Sequence, residues 1–146
     1  MLRSKRNSAG KYIGNSYCSS DRINSIKWNR LKEAEVQKTV QYYRGLLALR
    51  KAHRLFRLHN TEDVLHAISL FPCSSDAITA FLLQDEEEVI IAAYNAGQIA
   101  APLTLPDGKW DVYVLQDIAG TQIIEQASGT VEIPGISAYI VILNKK

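Results

Sequence analysis

The side chains of this chain that could do chemistry are fifteen carboxylates, three histidines and two cysteines. His53, His59 and His66 stand six and seven residues apart, which matches no metal-ligating spacing. They read as a cation at a helix C-terminus and two surface or edge positions. Cys18 and Cys73 lie far apart with no C-x-x-C partner, so free thiols are expected and neither a disulfide framework nor a zinc site. The acidic run Asp85 to Glu88 reads as a solvated hairpin tip, since a metal there would need ligands from elsewhere. Glycine-rich nucleotide loops, a G-x-S-x-G elbow and H-E-x-x-H are all absent. Every acid after Thr61 falls in a turn, near a strand end or on a polar face, and none is set in an apolar pocket that would make it a general acid. The residues therefore predict no catalytic group, no metal and no cofactor. One stretch, Asn15-Ser16-Tyr17-Cys18-Ser19-Ser20-Asp21, puts hydrogen-bonding groups beside a flat ring, as carbohydrate recognition requires. The same composition also describes a polar turn.

The element best able to position anything is the stretch from Asn29 to Arg57, which predicts one long amphipathic helix. Val36, Val40, Tyr43 and Leu47 form one apolar stripe, and Tyr42, Leu46, Leu49 and Phe56 a neighbouring one. Asn29 is the expected N-cap, Glu33 and Glu35 occupy the first turns, and Lys51, His53, Arg54 and Arg57 the last, as the macrodipole favours. Gly45 weakens it. A face this broad needs a large partner, and the sequence around it contains no other helical pattern, so the partner is expected outside the chain.

Before the helix, residues 1–27 read as a polar loop. After His59-Asn60-Thr61 the period shifts from helical to alternating, and a domain boundary is expected there, dividing 1–60 from 61–146. Eight strands follow: Val64 to Phe71, Ala77 to Leu83, Val89 to Tyr94, Ala100 to Leu105, Lys109 to Leu115, Thr121 to Gln126, Thr130 to Ile133 and Ala138 to Leu143. Turn sequences such as Asn95-Ala96-Gly97, Pro106-Asp107-Gly108 and Pro134-Gly135 separate them. The predicted fold is mainly β, an antiparallel β-sandwich of about eight strands preceded by one long amphipathic α-helix and a polar N-terminal loop. Val89 to Tyr94 and Ala138 to Leu143 are apolar at nearly every position, so both faces of each should be covered. In the strand from Trp110, alternation puts Trp110, Val112 and Val114 on one side.

The net charge of +2 hides a division. Up to Asn60 there are 14 Lys and Arg against 3 acids; from Thr61 onward there are 3 Lys against 12 acids. The cations are scattered around the helix and along the loop, not held on one stripe, and the acidic half would repel phosphates, so nucleic acid is not an expected partner. No window approaches the roughly 18 apolar residues of a membrane span, and neither a leader nor an anchor is expected.

Four segments, in order, resemble the end of a type I pullulanase, a debranching enzyme of the alpha-amylase superfamily (glycoside hydrolase family 13). They are Leu2-Arg3-Ser4-Lys5; Asn15-Ser16-Tyr17 with Asp21, Asn24 and Trp28; Tyr42-Tyr43-Arg44-Gly45-Leu46-Leu47-Ala48-Leu49-Arg50-Lys51-Ala52-His53; and Leu105-Pro106, Gly108, Trp110 and Val112 with Ile133-Pro134-Gly135-Ile136-Ser137-Ala138. The resemblance implies that 1–60 is the terminal loop and last helix of a (β/α)8 catalytic barrel and 61–146 a C-terminal β-sandwich. It implies a retaining hydrolysis of alpha-1,6 branch linkages, whose two carboxylates, about 5 to 5.5 Å apart, belong to barrel strands upstream of Leu2. Catalytic residues are thus expected to be none in this chain, with Asn15 and Tyr17 matching substrate-binding positions at the cleft mouth. The implied partners are an alpha-glucan and the missing barrel, with a dimer through the exposed helix face as the alternative cover. Cys18 stands where pullulanases usually carry Asn and is closer to isoamylase-type and glycogen-debranching relatives. Arg54-Leu55 replaces the usual Pro-Ala, and Lys27 a common Asp. A stand-alone carbohydrate-binding module competes with this reading, but it would need coplanar exposed aromatics, whereas Trp110, Tyr113 and Tyr139 fall at core positions.

Overall fold

The computed structural model describes residues 9–11, 17 and 20–145. By its internal contacts the chain divides into two units, Met1–Val36 and Gln37–Lys146. Within the first, a single turn of helix, α1 (Asp21–Asn24), precedes a 3₁₀ turn, Trp28–Lys32, which buries none of its residues. Arg30 Nε and Glu33 Oε1 pair at 3.2 Å across that turn.

The long helix is shorter than its periodicity predicts. It runs as α2 (Ala34–Ala52), because Glu33 (φ −71°, ψ 130°) and His53 (φ −106°, ψ 121°) are extended and detach the flanking 3₁₀ turns Trp28–Lys32 and Arg54–Arg57. Asn29 therefore lies inside a 3₁₀ turn and caps nothing. The stretch expected as a strand from Val64 begins as a helix, α3 (Thr61–Ala67), and only β1 (Ile68–Phe71) is extended. Asn60 explains it: its Oδ1 accepts from the Asp63 backbone N–H at 2.7 Å, while its Nδ2 donates to Asp63 Oδ2 at 2.7 Å. This cap with acids in the first turn is a helix start that the alternation of Val64 to Phe71 masks.

The remaining strands are β2 (Ile78–Gln84), β3 (Glu88–Asn95), β4 (Ala101–Thr104), β5 (Trp110–Leu115), β6 (Ile118–Ala119), β7 (Glu125–Ala127), β8 (Thr130–Ile133) and β9 (Ser137–Asn144). All pairings are antiparallel, in a seven-stranded sheet of order β1-β2-β3-β9-β5-β6, with β7 also on β5, and a two-stranded sheet β4-β8. The sandwich read from the sequence is present. Where one strand was expected from Thr121 to Gln126, two short ones flank β5 instead.

Two cores result, one on each face of the large sheet. Between the sheets, Ile78, Ile91, Val112 and Val141 pack with Leu103 and Ile133 of the small sheet, around Trp110 and Tyr139. On the other face Leu83, Ile90, Ala92, Val114, Ile140 and Ile142 pack with Leu49 and Leu55, and with Tyr42, Leu46 and Phe56 at the margin. β3 and β9 are therefore covered on both sides, as their unbroken apolar sequences require. In β5 the register shifts between Val112 and Val114, a bulge that reverses the alternation. Trp110 and Val112 face the small sheet while Val114 faces the helix, so the three do not share a side. Buried Asn95 closes the far end, its Nδ2 donating to Ile99 O and Ile133 O at 2.9 Å each and its Oδ1 accepting from Gly97 N at 2.8 Å. Among the described residues no helix is long and apolar enough to cross a membrane.

Candidate functional site

Of the two sequence-identified sugar contacts, Asn15 lies outside the described residues, as does Cys18. Tyr17 sits in a turn with its side chain 89% exposed. Elsewhere in the same unit, Lys27 Nζ donates to Ser25 Oγ at 2.6 Å and to Asp21 O at 3.3 Å, and the indole of Trp28 is exposed. An exposed phenol or indole has the chemistry to stack on a sugar face.

The second unit places the helix instead. Its C-terminal end is fixed by His53, whose Nδ1 lies 2.6 Å from Glu88 Oε2, with both side chains largely withdrawn from solvent. The imidazole stands edge-on to Tyr113, centroids 5.7 Å apart, and to Phe56 at 6.3 Å. Burial pushes the Tyr113 phenol up, and the charges of Asp111 and Glu88 add to it. Glu88 is thus not part of a solvated tip, although Asp85 does cap that turn through its Oδ1. Strand parity held the signal: Glu88 shares a face with Ile90 and Ala92, which lie under the helix.

Gly45, a weakness by propensity, proves to be a contact. A Cβ there would collide with the backbone carbonyl of Ala119, so only glycine lets the helix approach the end of β6 this closely. Beside this approach Lys38, Gln41, Tyr42, Asp117, Ile118 and Ala119 line a shallow open depression of about 270 Å³. Burial raises the Tyr42 phenol, with Tyr94 and Tyr43 contributing. Among the described residues Glu88 is the buried carboxylate and His53 its partner; no group of three or more His, Cys, Asp or Glu is placed to hold a metal ion. Cys73 is a half-buried free thiol, pushed up by burial.

No protein-family model matches the chain. It is 34% identical over 100 residues to the pullulanase of Bacillus subtilis (strain 168), a match covering 65% of this chain and 14% of that protein. It superposes on the pullulanase of Bacillus acidopullulyticus with a TM-score of 0.80 at 27% identity, over 94% of this chain and 17% of the other. The chain is a relative of the type I pullulanases. A type I pullulanase from Bacillus subtilis, solved in complex with maltose, gives a TM-score of 0.75 at 27% identity, covering 96% and 20% of the two chains. The pullulanase-like chain thus spans at most about a fifth of these relatives, and the match fits a C-terminal portion of them. The two stripes of its helix part company accordingly. Tyr42, Leu46, Leu49 and Phe56 lie on the sheet, whereas Tyr43 and Leu47 are 63% and 64% exposed.

Proposed function

We propose that this chain is the C-terminal, non-catalytic portion of an alpha-1,6-glucan debranching glycoside hydrolase. In this reading 1–60 completes a catalytic barrel, α2 serves as its last helix, and 61–146 is the β-sandwich that shields that helix from solvent. Asn15 and Tyr17 lie at the cleft mouth, where an amide and a ring meet the alpha-glucan. The observation that carries the reading is the superposition of nearly the whole chain on a small fraction of a type I pullulanase. The acids support it. None of the fifteen falls among the residues outside the described set, and the buried one is bound to an imidazole, not opposed by a second carboxylate at the spacing of a retaining pair. A free-standing carbohydrate-binding module is disfavoured because Trp110 and Tyr139 are buried between the sheets.

The test has two arms. The chain alone, incubated with pullulan, is expected to release no reducing ends; sustained release by pure protein would overturn the non-catalytic role. Grafted in place of the segment of Bacillus subtilis pullulanase on which it superposes, it is expected to give an active enzyme, and Tyr17→Ala in that graft to raise KM about tenfold with kcat little changed. A graft that folds but does not hydrolyse pullulan sinks the placement.

A further inference from the structure

The depression beside the Gly45 approach combines an aromatic ring fixed by packing with polar groups left at the surface. Lys38, Gln41 and Tyr42 stand at i, i+3 and i+4 on one face of α2, and Asp117, Ile118 and Ala119 complete the lining from the turn after β5 and from β6. Tyr42 and Ala119 are partly buried against the core under the helix, whereas Lys38, Gln41 and Asp117 are exposed. The turn that carries Asp117 is strained. Gln116 and Asp117 alone join β5 to β6, and Gln116 takes φ 54°, a left-handed conformation that such turns ordinarily give to glycine or asparagine. Strain of this kind gathers at ligand clamps. Tyr94 lies at the same end of the sheet, since it pairs with Ala138 while Tyr139 pairs with Leu115, the residue before that turn. It shares the helix-covered face with Ile90 and Ala92, is 46% exposed, and is close enough to Tyr42 to help raise that phenol.

We propose that this depression is a second binding site for alpha-glucan, taking a short run of glucose units that stacks on the ring of Tyr42 and continues toward Tyr94. The ligand class rests on the function proposed above; the site itself needs neither Asn15 nor Tyr17, because all of its residues belong to the second unit. Its chemistry selects a neutral polyhydroxyl chain. The charges of Lys38 and Asp117 cancel, so the lining holds no net charge to draw in an anion or a cation. The Asp117 carboxylate accepts, the Lys38 ammonium donates and the Gln41 amide does both, a set that matches neighbouring hydroxyls, each of them donor and acceptor. The Tyr42 phenol, raised by burial, keeps its proton to donate. At about 270 Å³ and open to solvent, the depression is smaller than the roughly 300–1,000 Å³ of enclosed small-molecule pockets, so it suits a chain lying across a surface. Trp110 and Tyr139 are buried elsewhere and take no part, which leaves a weak anchor for polymer and not a free-standing binding module.

The test titrates the whole chain, by itself, with maltohexaose and follows the backbone amides by NMR. Saturable binding with a Kd of about 1 mM is expected, with shifts gathered at Lys38, Gln41 and Asp117 to Ala119, and with no dependence on salt. Gln41→Ala combined with Asp117→Ala should weaken binding about tenfold and leave the unfolding midpoint unchanged, since both side chains are exposed. Tyr42→Phe should still bind, because the ring remains, whereas Tyr42→Ser should not. Absence of saturable binding, binding indifferent to the Gln41 and Asp117 pair, or equal binding of cellohexaose overturns the inference. The two proposals fail separately. A chain that does not bind but gives an active graft overturns this one and leaves the function standing, while a chain that binds maltohexaose through Gln41 and Asp117 but gives an inactive graft overturns the placement and leaves the site.

Discussion

The two faces of the seven-stranded sheet are built from the same strands and equally apolar side chains, yet they are closed to different degrees. Ile91 and Ile90 are neighbours in β3 and both wholly buried, the first under the β4–β8 sheet and the second under the helix. The inner face is completed by short strands that follow within the same 60 residues. The outer face is completed along β3, β9 and β5 and at the Ile68 and Leu83 ends of β1 and β2, and is left open where Leu70 of β1 and Phe81 of β2 emerge. A face finished locally is a folding feature; a face finished halfway leaves Leu70, Phe81 and Tyr94 in solvent.

The inner face should give the largest effect when broken. Trp110→Ala removes an indole that is wholly buried and whose Nε1 donates to Pro106 O at 2.9 Å, and it is expected to cost about 3–5 kcal/mol in urea unfolding. A loss below about 1 kcal/mol would mean that the two sheets are not held by this core. Tyr139, across the same core, offers a pH probe. Burial, with a smaller contribution from Glu125, pushes its phenol up to about 12. Because the folded state holds the proton more tightly than the unfolded chain, the associated stability is fully present below about pH 10 and is lost as pH rises through about 12. About 2–3 kcal/mol should disappear across that window in the wild type, and Tyr139→Phe should flatten the slope.

The outer face should respond more weakly, since it is closed by fewer contacts. Glu88→Ala leaves the imidazole of His53 without its carboxylate in a largely buried site and is expected to cost about 1–3 kcal/mol. A double-mutant cycle with His53→Ala should recover a coupling of about 1 kcal/mol, and additivity would show that the pair does not hold the helix. Gly45→Ala sets two effects against each other. Alanine adds about 1 kcal/mol of helix propensity, but its Cβ meets the Ala119 carbonyl, and overpacking of this kind costs about 1–3 kcal/mol. A net loss of about 1 kcal/mol is expected; a gain in melting temperature would show that the helix sits further from the end of β6.

Much of this was legible in the residues. The sandwich, its two doubly covered strands and the paired stripes of the helix follow from period and turn chemistry, because burial on one face or two imposes its own spacing. The ordered motifs from Leu2 to Ala138 carried the resemblance to the type I pullulanases. What escaped was decided by single residues that act against a period. Asn60 starts a helix where alternation reads as strand, the bulge at Tyr113 reverses parity beyond it, and Glu88 belongs to the face under the helix although its neighbours Glu86 and Glu87 are solvated. Periodicity averages over such residues. Likewise, composition identifies Gly45 as a helix breaker, and only the approach of Ala119 explains it. At the candidate sugar contact, Tyr17 is placed at the surface, while Asn15 remains a sequence reading.

The smallest effect is the one that sharpens the contrast most. Tyr43→Ser and Leu47→Ser change large apolar side chains that are more than half exposed, and exposed substitutions away from caps, cores and networks usually shift stability by no more than about 0.5 kcal/mol. In the isolated chain they should therefore be nearly silent in thermal unfolding, whereas Leu46→Ser or Leu49→Ser, on the adjacent stripe of the same helix, should cost about 2–5 kcal/mol. Two stripes alike in sequence would then differ several-fold in what the fold draws from them. If instead the Tyr43 and Leu47 variants unfold as readily as the Leu49 variant, the outer stripe is already buried within this chain, and the half-open face that distinguishes the two sides of the sheet does not exist in solution.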